Sequence, residues 1–256
     1  MAGHIFYKTK EQIELIRESG TILSKLHGEI AKMIKAGVKT QTLDKRAEEF
    51  IRDNNGLPSF KGYNGFPASL CISVNDAVVH GLPSEYELKD GDIISVDSGV
   101  FYKGFHSDSA YTHAVGELKP EVAELLRITK ESLYLGIAQL KQGGRLGDIS
   151  YAIQQHAEKH KFTVVRELVG HGIGKNLHEE PQVANYGKRG NGMVLREGLV
   201  LAIEPMVNMG VRGIEQVPDG TIRTLDGLPS AHFEHTVAII GGKCEILTTF
   251  DYIEKN

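Results

Sequence analysis

Between positions 10 and 35, apolar side chains fall at Ile13, Ile16, Ile22, Leu23, Leu26, Ile30, Met33 and Ile34. Steps of three and four place them on one stripe of a helix. Gly37 supplies the stop signal. A second helix is predicted over 42–54, closed by Asn54-Asn55-Gly56. The pattern then returns. Residues 122–140 and 148–160 read as helices, broken at Gly143-Gly144, and 35–39 parallels 141–145. Each helix pair is followed by short β-type runs bounded by glycines, at 93–96 and 199–203. The implied architecture is α+β: two pseudo-symmetric helix–helix–sheet halves, roughly 10–120 and 121–250. The chain, 1–256, reads as one domain with an internal repeat.

The repeat extends to chemistry. His80-Gly-Leu-Pro83, with the run from Leu88 to Asp97, is echoed by His178-Glu-Glu-Pro181, with the run from Leu195 to Glu204. Asp97 then falls on Glu204 and Gly91 on Gly198. His106-Ser-Asp108 matches His232-Phe-Glu234. Each half supplies two acids at matching positions. Halves that face each other bring four carboxylates together. Such a cluster repels itself and raises its own pKa values unless cations compensate.

Local geometry sharpens this expectation. The run from Ile94 to Tyr102 meets Lys103-Gly104 and returns through Phe105 to Thr112, the pattern of a β-hairpin. With a two-residue turn, Tyr102 pairs with Phe105 and Asp97 lies opposite Ala110. Asp108 becomes the diagonal neighbour of Asp97 on the same face, about 7–8 Å away between Cα atoms. Ile93, Ile94, Val96 and Val100 surround Asp97 with apolar residues, which argues against an exposed hairpin face.

Composition narrows the class. The chain is 41% hydrophobic and 24% charged, with net charge −4 and no basic block, so tight non-specific nucleic-acid binding is not favoured, and no specific nucleic-acid partner is expected. Cys71 and Cys244 form no CxxC pair, which disfavours a disulfide framework. No signal-like leader and no membrane-length apolar run is present, and a cytoplasmic location is expected. Among the histidines, His171 lies in Gly170-His171-Gly172-Ile173-Gly174, where little bulk surrounds it, so it is expected to face a cleft. His178 and His80 are counterparts in the two halves.

The ordered set Asp97, Asp108, His171, Glu204, Glu234 resembles the five-ligand metal site of the methionine aminopeptidases. The segments 71–76, 79–81, 170–174, 178–183 and 202–206 carry further matches, and the likeness covers essentially the whole chain. With 29 residues between Glu204 and Glu234, there is no room for the type II insertion, so type I is implied.

That resemblance implies a pita-bread fold with the site on a curved antiparallel sheet. It implies two divalent metal ions, of cobalt, manganese, iron(II) or similar type, that activate a shared water and polarise a scissile carbonyl. Asp97 would chelate one ion, Asp108 and Glu234 would bridge, and His171 and Glu204 would complete the other. Glu204 would also shuttle the proton. His178 would contact the substrate carbonyl, and His80 the scissile amide nitrogen. Tyr63, Phe66, Cys71 and Leu177 would line the methionine pocket. Asn75, Ala77 and Ser230 form a candidate monovalent-cation site. Leu177, Thr221 and Ser107 depart from the common pattern, which bears on pocket shape.

The implied activity is hydrolytic removal of N-terminal methionine from nascent polypeptides with a small second residue. A monomer is expected, with the ribosome a candidate docking partner. Two alternatives share the fold. One is a proline-specific aminopeptidase or dipeptidase, disfavoured by the chain's size and the pocket residues. The other is a non-catalytic polypeptide- or ribosome-binding protein, disfavoured by the complete acid–histidine set.

Overall fold

The computed structural model describes residues 4–255. The expectation that no leader is present falls partly on residues 1–3, which lie outside the described residues. In the first half, helices α1 (Lys10–Ala31) and α2 (Thr40–Asp53) precede strands β1 (Leu57–Pro58), β2 (Leu70–Val74), β3 (Ala77–Val79), β4 (Ile93–Tyr102) and β5 (Phe105–Ala114). In the second, α3 (Pro120–Ile137) and α4 (Leu146–Lys159) precede β6 (Thr163–Val164), β7 (Val169–Gly172), β8 (Glu179–Ala184), β9 (Val200–Ile203) and β10 (Met206–Asn208). There follow β11 (Ile214–Gln216), β12 (Ile222–Thr224), β13 (Ser230–His232), β14 (His235–Ile240), β15 (Lys243–Ile246) and a terminal helix, α5 (Asp251–Glu254). Among the described residues no helix is long and apolar enough to cross a membrane.

The helices start where local chemistry starts them. Thr9 accepts from the Gln12 amide at 3.3 Å, and Gln12 Oε1 accepts from the Thr9 amide at 3.0 Å, closing a capping box before α1. The sequence pattern runs the first helix to position 35, but α1 ends at Ala31. Met33, Ile34 and Val38 still pack on the core from a turn, so apolar spacing continues past the helix. The chain then turns at Gly37, whose amide donates to the Leu88 carbonyl at 2.7 Å. The second half repeats the device: Gly143 donates to Leu195 at 2.9 Å. Both glycines have φ near +85°, at 85° and 84°, a region open to glycine. The bridges Lys39–Glu87 and Arg145–Val194 correspond in the same way.

Period-two alternation sorts each strand into a helix face and a site face. On β4, Ile94, Val96 and Val100 join Leu23, Leu26, Leu43 and Ile51 beneath α1 and α2. On β9 and β14, Leu201, Ile203, Val237 and Ile239 join Leu125, Ile128, Ile149 and Ile153 beneath α3 and α4. Full burial of each such side chain contributes about 1.5–3 kcal/mol. The opposite faces carry Asp97, Asp108 and, in line with β9 and β14, Glu204 and Glu234.

All strand pairings in the four sheets are antiparallel. β4 and β5 form the expected hairpin, with Tyr102 opposite Phe105 and Asp97 opposite Ala110. Lys103 and Gly104 both have positive φ, at 48° and 88°, as a two-residue type I′ turn requires. The halves meet along β5 and the β13–β14 segment. Thr236 Oγ1 accepts from the Asp108 amide at 2.9 Å and donates to its carbonyl at 2.8 Å. Thr112 Oγ1 does the same for the backbone of His232, at 2.9 and 2.7 Å. Two threonine hydroxyls thus stitch a seam that is not a regular ladder.

Candidate metal centre

The seam decides the site. The Glu234 amide donates to the Ala110 carbonyl at 2.9 Å, which holds the second half's acid beside the first half's hairpin. Asp97 and Asp108 arrive from β4 and β5, Glu204 directly follows β9, and His171 lies on β7 opposite Ala202. Asp108, Glu234 and His171 are buried, at 3%, 2% and 7% exposure. Their ligand atoms lie within 4.8 Å of one another.

His171 is oriented by its own backbone. Its Nδ1 is 2.9 Å from the Gly172 carbonyl, which only accepts, so Nδ1 carries the hydrogen. The Nε2 lone pair then faces Glu204 Oε1 at 3.6 Å and Asp108 Oδ2 at 3.9 Å. An imidazole whose other nitrogen donates to a carbonyl is the usual disposition of a metal-binding histidine.

The acids sit in an environment hostile to their charge. Burial pushes Asp97 up to about 7; His232 opposes the shift and Glu204 adds to it. Burial pushes Glu204 up to about 8. Asp108 rises well above the carboxylate range through burial, then Asp97 and Glu204. Glu234 does so through burial, then Asp108, Glu204 and Asp97. His171 is pushed down to about 3, chiefly by burial and then by His178, with the Gly172 bond opposing. The polypeptide offers these groups little relief. Asp97 Oδ1 and Glu234 Oε1 are buried with no hydrogen-bond partner. Orphaned polar atoms are costly inside a protein, and divalent cations would satisfy them. Carboxylates with an imidazole suit hard to borderline ions. The residues present fit a divalent metal centre.

The acids and His171 form one wall of a cavity of about 610 Å³. Tyr63, Phe66, Cys71, His80, Leu177 and His178 also line it. Cys71 and Leu177 are buried; Tyr63, His80 and His178 remain accessible from the cavity. The Tyr63 hydroxyl is 2.8 Å from His178 Nδ1, and the His178 ring meets that of His171 edge-on at 4.3 Å. Although accessible, His80 and His178 are both held below the usual imidazole range by partial burial, with His232 and His80 respectively adding to the effect.

Other candidates fall elsewhere. Thr221, one of the expected departures bearing on pocket shape, is buried and does not line this cavity. It lines a second cavity of about 530 Å³ together with Asn75 and Ala77. The Ser230 amide donates to the Asn75 carbonyl at 2.9 Å, so these candidate cation-site residues are neighbours. Ser107 is buried and ties β5 to α1 through Ser19, at 2.8 Å between hydroxyls. Sequence reasoning missed Phe60, Leu168, Met206 and Gln216, which also line the main cavity. Nothing local marks them. His106 and His232 were visible as an echo but had no assigned role. His106 Nδ1 lies 2.8 Å from Ser59 Oγ. His232 is 1% exposed, and its Nε2 lies 3.5 Å from Glu204 Oε2.

The chain matches the model of metallopeptidase family M24 over residues 14–240. It is 49% identical to methionine aminopeptidase 1 of Bacillus subtilis over 95% of this chain and 99% of that one. It is 51% identical to a methionine aminopeptidase of Clostridium perfringens over 95% and 98%. The crystal structure of methionine aminopeptidase from Thermotoga maritima superposes with a TM-score of 0.94 at 43% identity, over 96% of this chain and all of that one. Prolidase from Pyrococcus furiosus shares the fold, with a TM-score of 0.78 at 23% identity over 95% of this chain and 65% of that one.

Proposed function

The chain belongs to metallopeptidase family M24, in the methionine aminopeptidase branch with the α+β pita-bread fold, and on that premise we propose how its residues act. The protein is a hydrolase that removes N-terminal methionine. The observation that carries the reading is the juxtaposition of five buried or half-buried donor residues with an apolar-walled cavity.

Asp97, Asp108, His171, Glu204 and Glu234 would hold two divalent ions, with Asp108 and Glu234 shared between them. Manganese, cobalt and iron(II) suit this donor set. When bound, the ions supply an activated water and polarise the scissile carbonyl. Glu204 would take up the proton as general base. With the Tyr63 hydroxyl, 2.8 Å away, as donor to His178 Nδ1, the hydrogen on Nε2 would stabilise the carbonyl oxygen as charge develops. His80, across the same cavity, contacts the scissile amide nitrogen. Tyr63, Phe66, Cys71 and Leu177 enclose the methionine side chain, and crowding beside the carboxylates keeps the second residue small.

We read residues 1–256 as one catalytic domain working on nascent polypeptides. The setting proposed is a cytoplasmic monomer, with the ribosome as docking partner and a monovalent cation near Asn75, Ala77 and Ser230. The test is a peptide panel on purified protein. Met-Ala and Met-Gly peptides should be cleaved only with divalent metal, and peptides with a bulky second residue should resist. Hydrolysis by exhaustively chelated protein would exclude the metal mechanism. Preference for Xaa-Pro peptides with other first residues would point to the proline-specific alternative.

A further inference from the structure

His232 stands out among the groups the mechanism leaves unused. It ends β13, two residues before Glu234, and its backbone is clamped on both sides by Thr112 Oγ1 at 2.9 and 2.7 Å. The side chain is therefore carried on a fixed segment, with 1% of the residue exposed. Its Nε2 is buried and makes no hydrogen bond. An unpaired imidazole nitrogen in such a place is unusual. The atom has a neighbour but no bond: Glu204 Oε2 is 3.5 Å away. That is longer than an N–H···O hydrogen bond. It matches the span between two donor atoms that each lie about 2.1 Å from one ion. Glu204 repeats the arrangement on its other oxygen, with Oε1 3.6 Å from His171 Nε2. The carboxylate thus sits between two imidazoles, each presenting Nε2 at a similar distance.

We propose that His232 is a sixth protein donor to the metal centre, binding an ion through Nε2 beside Glu204. This rests on the dinuclear reading above. It changes the donor set from one imidazole to two. A second imidazole moves the site's preference further toward borderline ions such as iron(II), cobalt and zinc. It also places a fixed imidazole beside each oxygen of Glu204.

The experiment uses full-length protein stripped of metal, as wild type, His232→Ala and His232→Gln. Cobalt(II) is titrated in by calorimetry. The proton NMR spectrum of the cobalt form is then scanned for exchangeable, paramagnetically shifted imidazole N–H signals. Wild type should bind two equivalents and show two such signals, one from each ligating ring. Both variants should lose one signal and weaken at least one equivalent by tenfold or more. Glutamine keeps an N–H donor for Glu204 but has no imidazole, so restoration of wild-type affinity by His232→Gln would assign positioning instead of ligation. Equal affinities and equal signal counts in all three proteins would overturn the inference while leaving the dinuclear reading intact. A wild type that takes up no cobalt would overturn both. If His232→Ala fails to fold, the wild-type signal count and the glutamine variant still decide.

Discussion

Replacing Asp97 with asparagine should stabilise the metal-free protein, even though it deletes a proposed metal ligand. In the native chain Asp97 is raised from 3.8 to about 7. Consider the sign. The unfolded chain releases this proton from about pH 4 upward, whereas the metal-free native state keeps it until about pH 7. Native stability from this group is therefore lost progressively as pH rises through that window, and the loss levels off above it. At about 1.4 kcal/mol per pKa unit, the full penalty is on the order of 4 kcal/mol at pH 8 and on the order of 1–2 kcal/mol at pH 5. Asparagine cannot ionise, and it removes a charge that also raises Asp108 and Glu234. For a chain of this length, 1 kcal/mol shifts Tm by about 2–4 °C. Chelated Asp97→Asn should then melt roughly 10 °C above chelated wild type at pH 8, and only a few degrees above it at pH 5. Comparing the two proteins at each pH cancels the buried histidines, which destabilise both equally in acid. Adding manganese should narrow the gap at pH 8, where the wild-type deficit exceeds the gain from one bound ion. Wild type gains about 2.7 kcal/mol at a hundredfold excess over Kd, and the variant, short of a ligand, gains less. Differential scanning calorimetry at the two pH values, with and without metal, reads all four numbers. A variant less stable than wild type at pH 8 without metal, or a gap that does not depend on pH, would refute the picture of a self-repelling cluster.

His171→Ala should lower both metal content and turnover. His178→Ala should keep both ions and lose about 2.7–4 kcal/mol of transition-state stabilisation, roughly 100- to 1000-fold in kcat; metal analysis beside kinetics separates them, and reversed behaviour would exchange their roles. The Lys8–Glu179 pair is 2.6 Å apart with side chains only 4% and 2% exposed. Lys8→Met strands a buried carboxylate next to His178 and should cost about 3–5 kcal/mol in denaturant unfolding; no loss would show that Glu179 finds water. A Cβ on Gly170 would meet the Ala202 carbonyl and, at 3.3 Å, the Val183 Cβ. Gly170→Ala should destabilise by about 1–3 kcal/mol and loosen metal binding through His171, both measurable by melting with and without metal.

Much of the site was legible because its determinants are local. A two-residue turn fixes hairpin register, and period-two alternation then fixes which side chains share a face. Asp97 opposite Ala110, with Asp108 diagonal to it, follows from positions 94–112 alone, and the structure has that register. The repeat likewise announced Glu204 and Glu234, and glycine turns at 37 and 143 marked corresponding places in the two halves. The end of α1 was less legible, since Met33 and Ile34 keep the apolar spacing after the helical hydrogen bonds stop.

What the chain alone left open is whatever depends on atoms distant in sequence. The two pairs of acids meet because Thr112 and Thr236 bridge backbones more than a hundred residues away, and no periodicity encodes a hydroxyl's partner. Thr221 turns into a neighbouring cavity instead of the main one, which its position in the sequence does not reveal. Tyr63 meets His178 Nδ1 from more than a hundred residues away, and the Gly172 carbonyl sets the hydrogen on His171. The unpaired nitrogen of His232 becomes visible only once Glu204 stands beside it. Sequence determined which residue types lie on which face of each strand, because that is a matter of alternation. Tertiary structure decided which faces meet, how deeply the charges are buried and which polar atoms are left without partners, because desolvation and pairing are properties of the assembled interior.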